Sequence, residues 1–335
     1  MKKNSIGILG AGTWGIALAA MLAKEGKDVT VWSALPEEIT SLLATHKQKN
    51  LPDILLPESI HYTTDMREAC EGHAFVMLAV PSVFVRSTAH AAAPYLAKGQ
   101  VIVDVAKGIE PDTLLTMSEI IADELAQAGK DLPVVALSGP THAEEVARDI
   151  PTAIVAACKD ATASEAVQDF FMNTCLRVYT AQDVHGTELC GAVKNIFAIA
   201  AGVSAGLGYG DNTAAAIMTR GVAELARLGS AMGCSSETFY GLAGIGDVIV
   251  TATSLHSRNR RAGMLLAKGY TEEEAKRRVG MVVEGFYAIP ATCALAEKYG
   301  VEMPIIFAVR DIMRGAITPQ AAVHALMTRE KKQEF

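Results

Sequence analysis

Residues 191–202, GAVKNIFAIAAG, set an ammonium and an amide, Lys194 and Asn195, into a stretch that is otherwise small or apolar. Gly191, Phe197 and Ala198 lie three or four residues from Lys194, so at helical spacing they share its face. A charge buried there alone is costly, and a partner or a lowered pKa relieves that cost. A lysine shifted down to roughly 7–8 is a serviceable general acid or base at cellular pH. The plainer alternative is a structural ion pair, with Glu188 as the candidate partner. Taken alone, the stretch favours that alternative; the segments that accompany it tip the balance to catalysis.

The richest of these is GLAGIGDVIVTATSLHSRNRRAG, residues 241–263. Asp247 follows a Gly-Ile-Gly turn and precedes an apolar run. Ser257, Arg258, Asn259, Arg260 and Arg261 then cluster where a helix should begin. A guanidinium fork, an amide and helix N-terminal N–H groups together suit a phosphate. A solvated basic helix face is the competing reading. In a chain this acidic, with so glycine-rich an approach, the phosphate reading is preferred. Lys107 stands directly after a strand in VDVAKGIEP, where a substrate or cofactor role competes with a solvated loop charge. In LSGPTHAEEVA, Ser138-Gly139-Pro140 breaks another strand. Thr141 is expected to cap a helix there and Glu144 to complete a capping box. Its free N–H groups also suit an anion, and His142 reads as a packed histidine.

A fourth segment, SIGILGAGTWGIALAAMLAKEGKDVTVW, places Gly10, Gly12 and Gly15 in a G-x-G-x-x-G pattern between a strand and an apolar-periodic helix. Gly10 allows the tight turn, Gly12 lets backbone approach a pyrophosphate, and Gly15 lets helix pack on strand. The helix dipole adds to the attraction for the anion. Thr13 and Trp14 are placed to line a dinucleotide, with ordinary core packing an equal alternative for Trp14. An acid about 20 residues on would favour NAD and an arginine NADP. Ser33 stands at that spot; Glu37 and Glu38 come slightly late and read as a solvated helix start. The cofactor is therefore NAD(H) or NADP(H), with a lean to NAD because no cation is near.

These residues need a scaffold, and the chain supplies one in two styles. Expected strands are 5–10, 28–32, 74–80, 100–106, 133–138, 152–158 and 177–180, several of them near-continuous apolar runs. Such runs suit strands covered on both faces, with helices between them as right-handed crossovers. After about residue 182, Ala-, Leu- and Met-rich stretches replace the strands: 185–206, 212–232, 259–267, 271–279, 284–299, 303–314 and 319–328. The expected fold is α/β: a doubly wound, mostly parallel sheet over residues 1–181, then an all-α domain over 182–335.

Composition sets bounds. The 335 residues are half hydrophobic and carry a formal charge of −7, which argues against a nucleic-acid or anionic-membrane binder. The start MKKNSIGILGAG is too short and too glycine-rich for a signal peptide. No run reaches roughly 18 consecutive apolar residues, so no membrane span is expected. The six cysteines lack CxxC spacing and read as thiols of a reducing, cytoplasmic compartment, without metal site or disulfides.

Together the segments GAGTWGIALA, AKGIE, LSGPTHAEEVA, ELCGAVKNIFAIAAG, GLAGIGDVIVTATSLHSRNRRAG and VVEGFYA resemble, in that order and over almost the whole chain, the bacterial-type NAD(P)-dependent glycerol-3-phosphate dehydrogenases. The resemblance implies a Rossmann-type N-terminal domain, a helical C-terminal domain, frequent homodimers, a cytoplasmic location and a supply role for phospholipid synthesis. It implies Lys194 as proton donor and acceptor between dihydroxyacetone phosphate and sn-glycerol 3-phosphate. Asn195 and Asp247 would hold the lysine and the substrate hydroxyls. Lys107, Gly139, Thr141, Asp247, Ser257, Arg258 and Asn259 match substrate contacts. Thr13, Trp14, Ala143, Arg258, Val282 and Glu284 match cofactor contacts, alongside the glycine turn, Ser33 and Lys107. The chain departs from the family pattern at Ser33, where members often carry a basic residue, and at Thr141-His142, which replace a common Ser-Phe pair. Two rivals remain: a 3-hydroxyacid or 6-phosphogluconate type of dehydrogenase, which would need a carboxylate site, and a non-catalytic nicotinamide sensor, which would not need Lys194, Asp247 and Arg258 together.

Overall fold

The computed structural model describes residues 2–331, 333 and 334. The chain divides into two compact units: residues up to Gly108 with Leu115–Glu188, and Ile109–Leu114 with Leu189 onward.

The first unit is built on one eight-stranded sheet. Its strands are β1 (Lys2–Leu9), β2 (Asp28–Trp32), β3 (His61–Thr63), β4 (His73–Leu78), β5 (Val101–Asp104), β6 (Val134–Ser138), β7 (Thr152–Ala157) and β8 (Leu176–Ala181). They lie in the order β3-β2-β1-β4-β5-β6-β7-β8. Every neighbouring pair is parallel except β6 and β7. That exception has a local cause. The link from Ser138 to Thr152 holds only the four-residue helix Ala143–Val146, too little for a covering crossover. The expected doubly wound, mostly parallel sheet is what forms. The three-residue β3 is additional to the seven expected strands.

Both sheet faces are buried, which accounts for the unbroken apolar runs. Phe75 and Met77 of β4 enter one core with Ile6, Ile8, Val29 and Val31. Val76 and Leu78 enter the other with Leu9 and Ile102. The period-two alternation survives in the structure, although both sets are apolar.

The second unit is helical. Its central element is the helix Val184–Gly206, which begins in the first unit and crosses the unit boundary within its own length. It is long and apolar enough to cross a membrane, yet 89% of its most apolar window is buried inside the protein. Its second-unit portion touches the helices Asp211–Ala231, Asp247–Thr253, Arg258–Ala267 and Glu284–Tyr299. Small residues let them approach. A Cβ on Gly202 would collide with the Arg260 carbonyl, and one on Gly263 with the Ile199 carbonyl. A Cβ on Gly285 would lie 2.6 Å from Ile199 Cδ1. The Ala- and Gly-rich composition of this half is therefore a condition of helix contact at backbone distance.

Gly263→Ala should destabilise the protein by about 1–3 kcal/mol through overpacking against backbone, which cannot swing aside. Urea denaturation would show a lower midpoint at unchanged slope; a midpoint equal to wild type would mean the helices separate without cost.

Candidate active site

The first unit carries the glycine turn, between β1 and the helix Thr13–Lys24. Gly10 has φ +129°, a value that favours glycine, and its N–H donates to Trp32 O at 2.9 Å. A Cβ on Gly15 would strike the Gly10 carbonyl, so helix and strand meet as closely as expected. Gly12 differs. It is exposed and extended, and a Cβ there would meet no protein atom within 4 Å. The protein's own packing does not require glycine at this position, whereas close approach of a pyrophosphate does. The helix it opens has no side-chain cap and no acid in its first turn, which suits an anion. These residues fit a dinucleotide. Thr13 Oγ1 accepts from Asn50 Nδ2 at 3.0 Å, and Trp14 is half-buried and packs against the core.

Three expected substrate residues converge in the same unit. Lys107 Nζ donates to the Gly139 carbonyl at 3.0 Å, and Thr141 Oγ1 donates to the same oxygen at 3.2 Å. The expected capping box at Thr141 does not form. His142 is the N-cap of Ala143–Val146, and no side chain caps it. Thr141 sits one residue too early, and its hydroxyl turns back to Gly139. Ala143 opens that short helix.

Glu188, the alternative partner for Lys194, is occupied elsewhere. It accepts from Ser118 N at 2.7 Å and Ser118 Oγ at 2.5 Å. Burial pushes its carboxyl up. Asp104, at the end of the strand that leads to Lys107, is also held well above the usual range. Burial is the main cause, and the nearby Glu188 charge adds to it.

In the second unit, Lys194 is buried in the central helix, with 7% of its side chain exposed against 0% for Asp247. Its Nζ donates to Asp247 Oδ1 at 2.8 Å and to Thr251 Oγ1 at 2.6 Å. Thr251 Oγ1 donates in turn to Asp247 Oδ1 at 3.2 Å. Asp247 and Thr251 stand one turn apart on the helix Asp247–Thr253. The expected pairing of Lys194 with Asp247 forms, and Thr251 is a third member that sequence reasoning missed. Asp247 owes its position to the turn before it. Gly244 has non-helical dihedrals, and a Cβ there would collide with the Phe239 carbonyl.

Asn195 does not hold the lysine. Its Nδ2 donates to Gly191 O at 3.2 Å, and its Oδ1 accepts from Asn259 Nδ2 at 2.8 Å. Asn259 Oδ1 accepts from Gly285 N at 2.9 Å. This correction follows from helix geometry: neighbours in sequence point about 100° apart, so Asn195 faces a different partner from Lys194. Asn259 thus ties helices together from a buried position. Ser257 is the buried N-cap of Arg258–Ala267 and accepts from Arg260 N at 3.2 Å. Arg258 and Arg260 are half-buried there and Arg261 is exposed, with no acid in the first turn. Val282 and Glu284 are half-buried at the start of Glu284–Tyr299.

The family model for the NAD-dependent glycerol-3-phosphate dehydrogenase N-terminus matches residues 5–164, and that for the C-terminus matches residues 183–324. A glycerol-3-phosphate dehydrogenase [NAD(P)+] of Lactobacillus delbrueckii subsp. bulgaricus is 58% identical over 332 residues, covering 98% of each chain. One from Bacillus subtilis is 48% identical, covering 100% of this chain and 96% of its own. The crystal structure of a glycerol-3-phosphate dehydrogenase from Coxiella burnetii superposes with a TM-score of 0.92 at 37% identity, covering 97% of this chain and 99% of that one.

Asp247→Ala removes the carboxylate that pairs with the buried ammonium of Lys194 and should cost about 3–5 kcal/mol of stability. Chemical denaturation checks this; a loss under about 1 kcal/mol, the range of exposed pairs, would show that solvent reaches the ammonium.

Proposed function

The chain belongs to the NAD-dependent glycerol-3-phosphate dehydrogenase family, and from that premise we propose that it interconverts dihydroxyacetone phosphate and sn-glycerol 3-phosphate with Lys194 as the proton donor and acceptor. The observation that carries the proposal is the buried ammonium of Lys194, fixed by Asp247 and Thr251 in a mostly apolar helix.

A nicotinamide dinucleotide would be held at the glycine turn of Gly10, Gly12 and Gly15, and when bound it would supply the hydride chemistry at the substrate's central carbon. All other tasks fall to the chain's own groups. The Lys194 ammonium donates a hydrogen bond to the ketone oxygen, stabilises the charge that develops on it, and passes it a proton. In the reverse direction the neutral amine takes the proton from the hydroxyl. Asp247 and Thr251 restrict the amine to one direction of approach, so little rearrangement is needed when the charge moves.

Arg258 and the N–H groups opening Arg258–Ala267 grip the substrate's phosphate, and Ser257 holds that helix start in place. Remote binding of this kind aligns the reacting carbon. Lys107, Gly139 and Thr141 are proposed as further substrate contacts, supported by their convergence on one carbonyl. Gly10, Gly12, Thr13, Trp14, Gly15, Ser33, Lys107, Ala143, Arg258, Val282 and Glu284 are proposed to bind the dinucleotide. Asn195 and Asn259 act through each other, bracing the helices that carry Lys194 and Arg258. We also propose a homodimer in the cytoplasm, feeding phospholipid synthesis. The family resemblance supports this reading, and six cysteines that form no disulfide with one another suit a reducing compartment.

Dihydroxyacetone phosphate should be reduced with loss of the reduced nicotinamide's absorbance. Lys194→Met, close in volume but without a proton, should lower kcat by at least ~10² while dinucleotide affinity stays unchanged. Near-wild-type turnover by the folded variant would remove Lys194 from the mechanism.

A further inference from the structure

We propose that the Ser33–Glu38 pair decides which dinucleotide the protein takes: it admits the free ribose 2′-hydroxyl of NAD(H) and rejects the 2′-phosphate of NADP(H). The inference rests on the dehydrogenase reading above and deepens it, since the names of the relatives leave both cofactors open.

The pair stands beside the glycine turn. Leu9 of β1 is in register with Trp32 of β2, and Gly10 N donates to Trp32 O at 2.9 Å. Ser33 is the next residue after Trp32. Ala11, inside the turn, lines a cavity of about 210 Å³ together with Glu37, Glu38, Ser41 and Lys47. That cavity therefore runs from the pyrophosphate turn to the residues following the second strand. In a doubly wound sheet this is where the ribose nearest the adenine lies.

The hydrogen bonds there are committed. Ser33 is buried; its Oγ donates to Glu38 Oε2 at 2.7 Å and accepts from Leu35 N at 3.1 Å. Its one proton is thus spent on the carboxylate and is not offered to a phosphate. Glu38 is half-buried and held by that bond in the first turn of the helix Pro36–Thr45, with Glu37 beside it. The two acids already answer the positive end of that helix. A carboxylate only accepts hydrogen bonds. A ribose hydroxyl supplies the donor it needs, whereas a 2′-phosphate would bring like charge to a partly desolvated place. Lys47 and Lys49 also line the cavity, but both are exposed, so solvent and salt screen them. Position explains why the sequence alone did not single out Glu38. It comes five residues after Ser33, and only the turn into the helix folds it back onto that hydroxyl.

Dissociation constants of NADH and NADPH for the full chain, read from nicotinamide fluorescence without substrate, test this directly. NADH should bind at least about tenfold tighter than NADPH, the ratio that 1.4 kcal/mol of differential binding produces. Glu38→Gln keeps the shape and removes the charge; it should narrow the ratio to about threefold or less, chiefly by strengthening NADPH binding. Equal or tighter NADPH binding by wild type would overturn the inference. So would a ratio unmoved by Glu38→Gln, or a Lys47→Ala, Lys49→Ala double variant that loses NADPH alone from a tight wild-type complex. Failure of both dinucleotides to bind would instead count against the dehydrogenase reading itself.

Discussion

A single desolvated ion pair organises the helical half of this protein. Lys194 and Asp247 lie on different helices, 53 residues apart in sequence, and both are almost fully buried. Two charges taken out of water are tolerable only when each finds the other at good geometry and the remaining protons and lone pairs are satisfied. Thr251 meets part of that need, since it accepts from the ammonium and donates to the carboxylate. A well-packed apolar pair would serve stability as well or better. Retaining charge here makes chemical sense if the ammonium has work to do.

The pair constrains what surrounds it. Side chains large enough to hold two helices apart would also separate the ammonium from its carboxylate. Glycines at 202, 263 and 285 bring helix backbones close to the central helix, and Gly244 makes the kink that presents Asp247. The Asn195–Asn259–Gly285 chain fixes the same helices through polar contacts on another side of the lysine helix. Packing and polar contacts thus converge on one placement of Nζ, with backbone as the measuring rod.

The sheet and the main helices were legible in the sequence because each is strongly patterned. Apolar runs flanked by glycine and proline gave the strands, and the change to Ala-rich stretches after residue 182 gave the helical half. The glycine turn was legible because its spacing carries a mechanism, and Lys194 because a charge in an apolar run demands an account. Thr251 was not legible: a threonine among valines and alanines looks like any β-branched filler until the fold brings Nζ within 2.6 Å. Likewise VIVTAT, rich in β-branched residues, lies in the helix Asp247–Thr253, because tertiary packing overrides its weak preference for strand. The direction of Asn195 also lay beyond the sequence, since a partner 64 residues away decides it. The capping box at Thr141 failed by one residue, a scale at which helix boundaries are set by the chain's path and not by composition.

If the ammonium of Lys194 is the acid of the reaction, then an amine from solution should replace it in a variant that lacks it. The most direct measurement is the turnover of Lys194→Ala, confirmed to be folded and to bind NADH, with small primary amines added across a range of pKa. The account predicts activity that returns with amine concentration and follows amine acidity along a Brønsted line. Indifference to every amine small enough to enter, with the cofactor still bound, would contradict it.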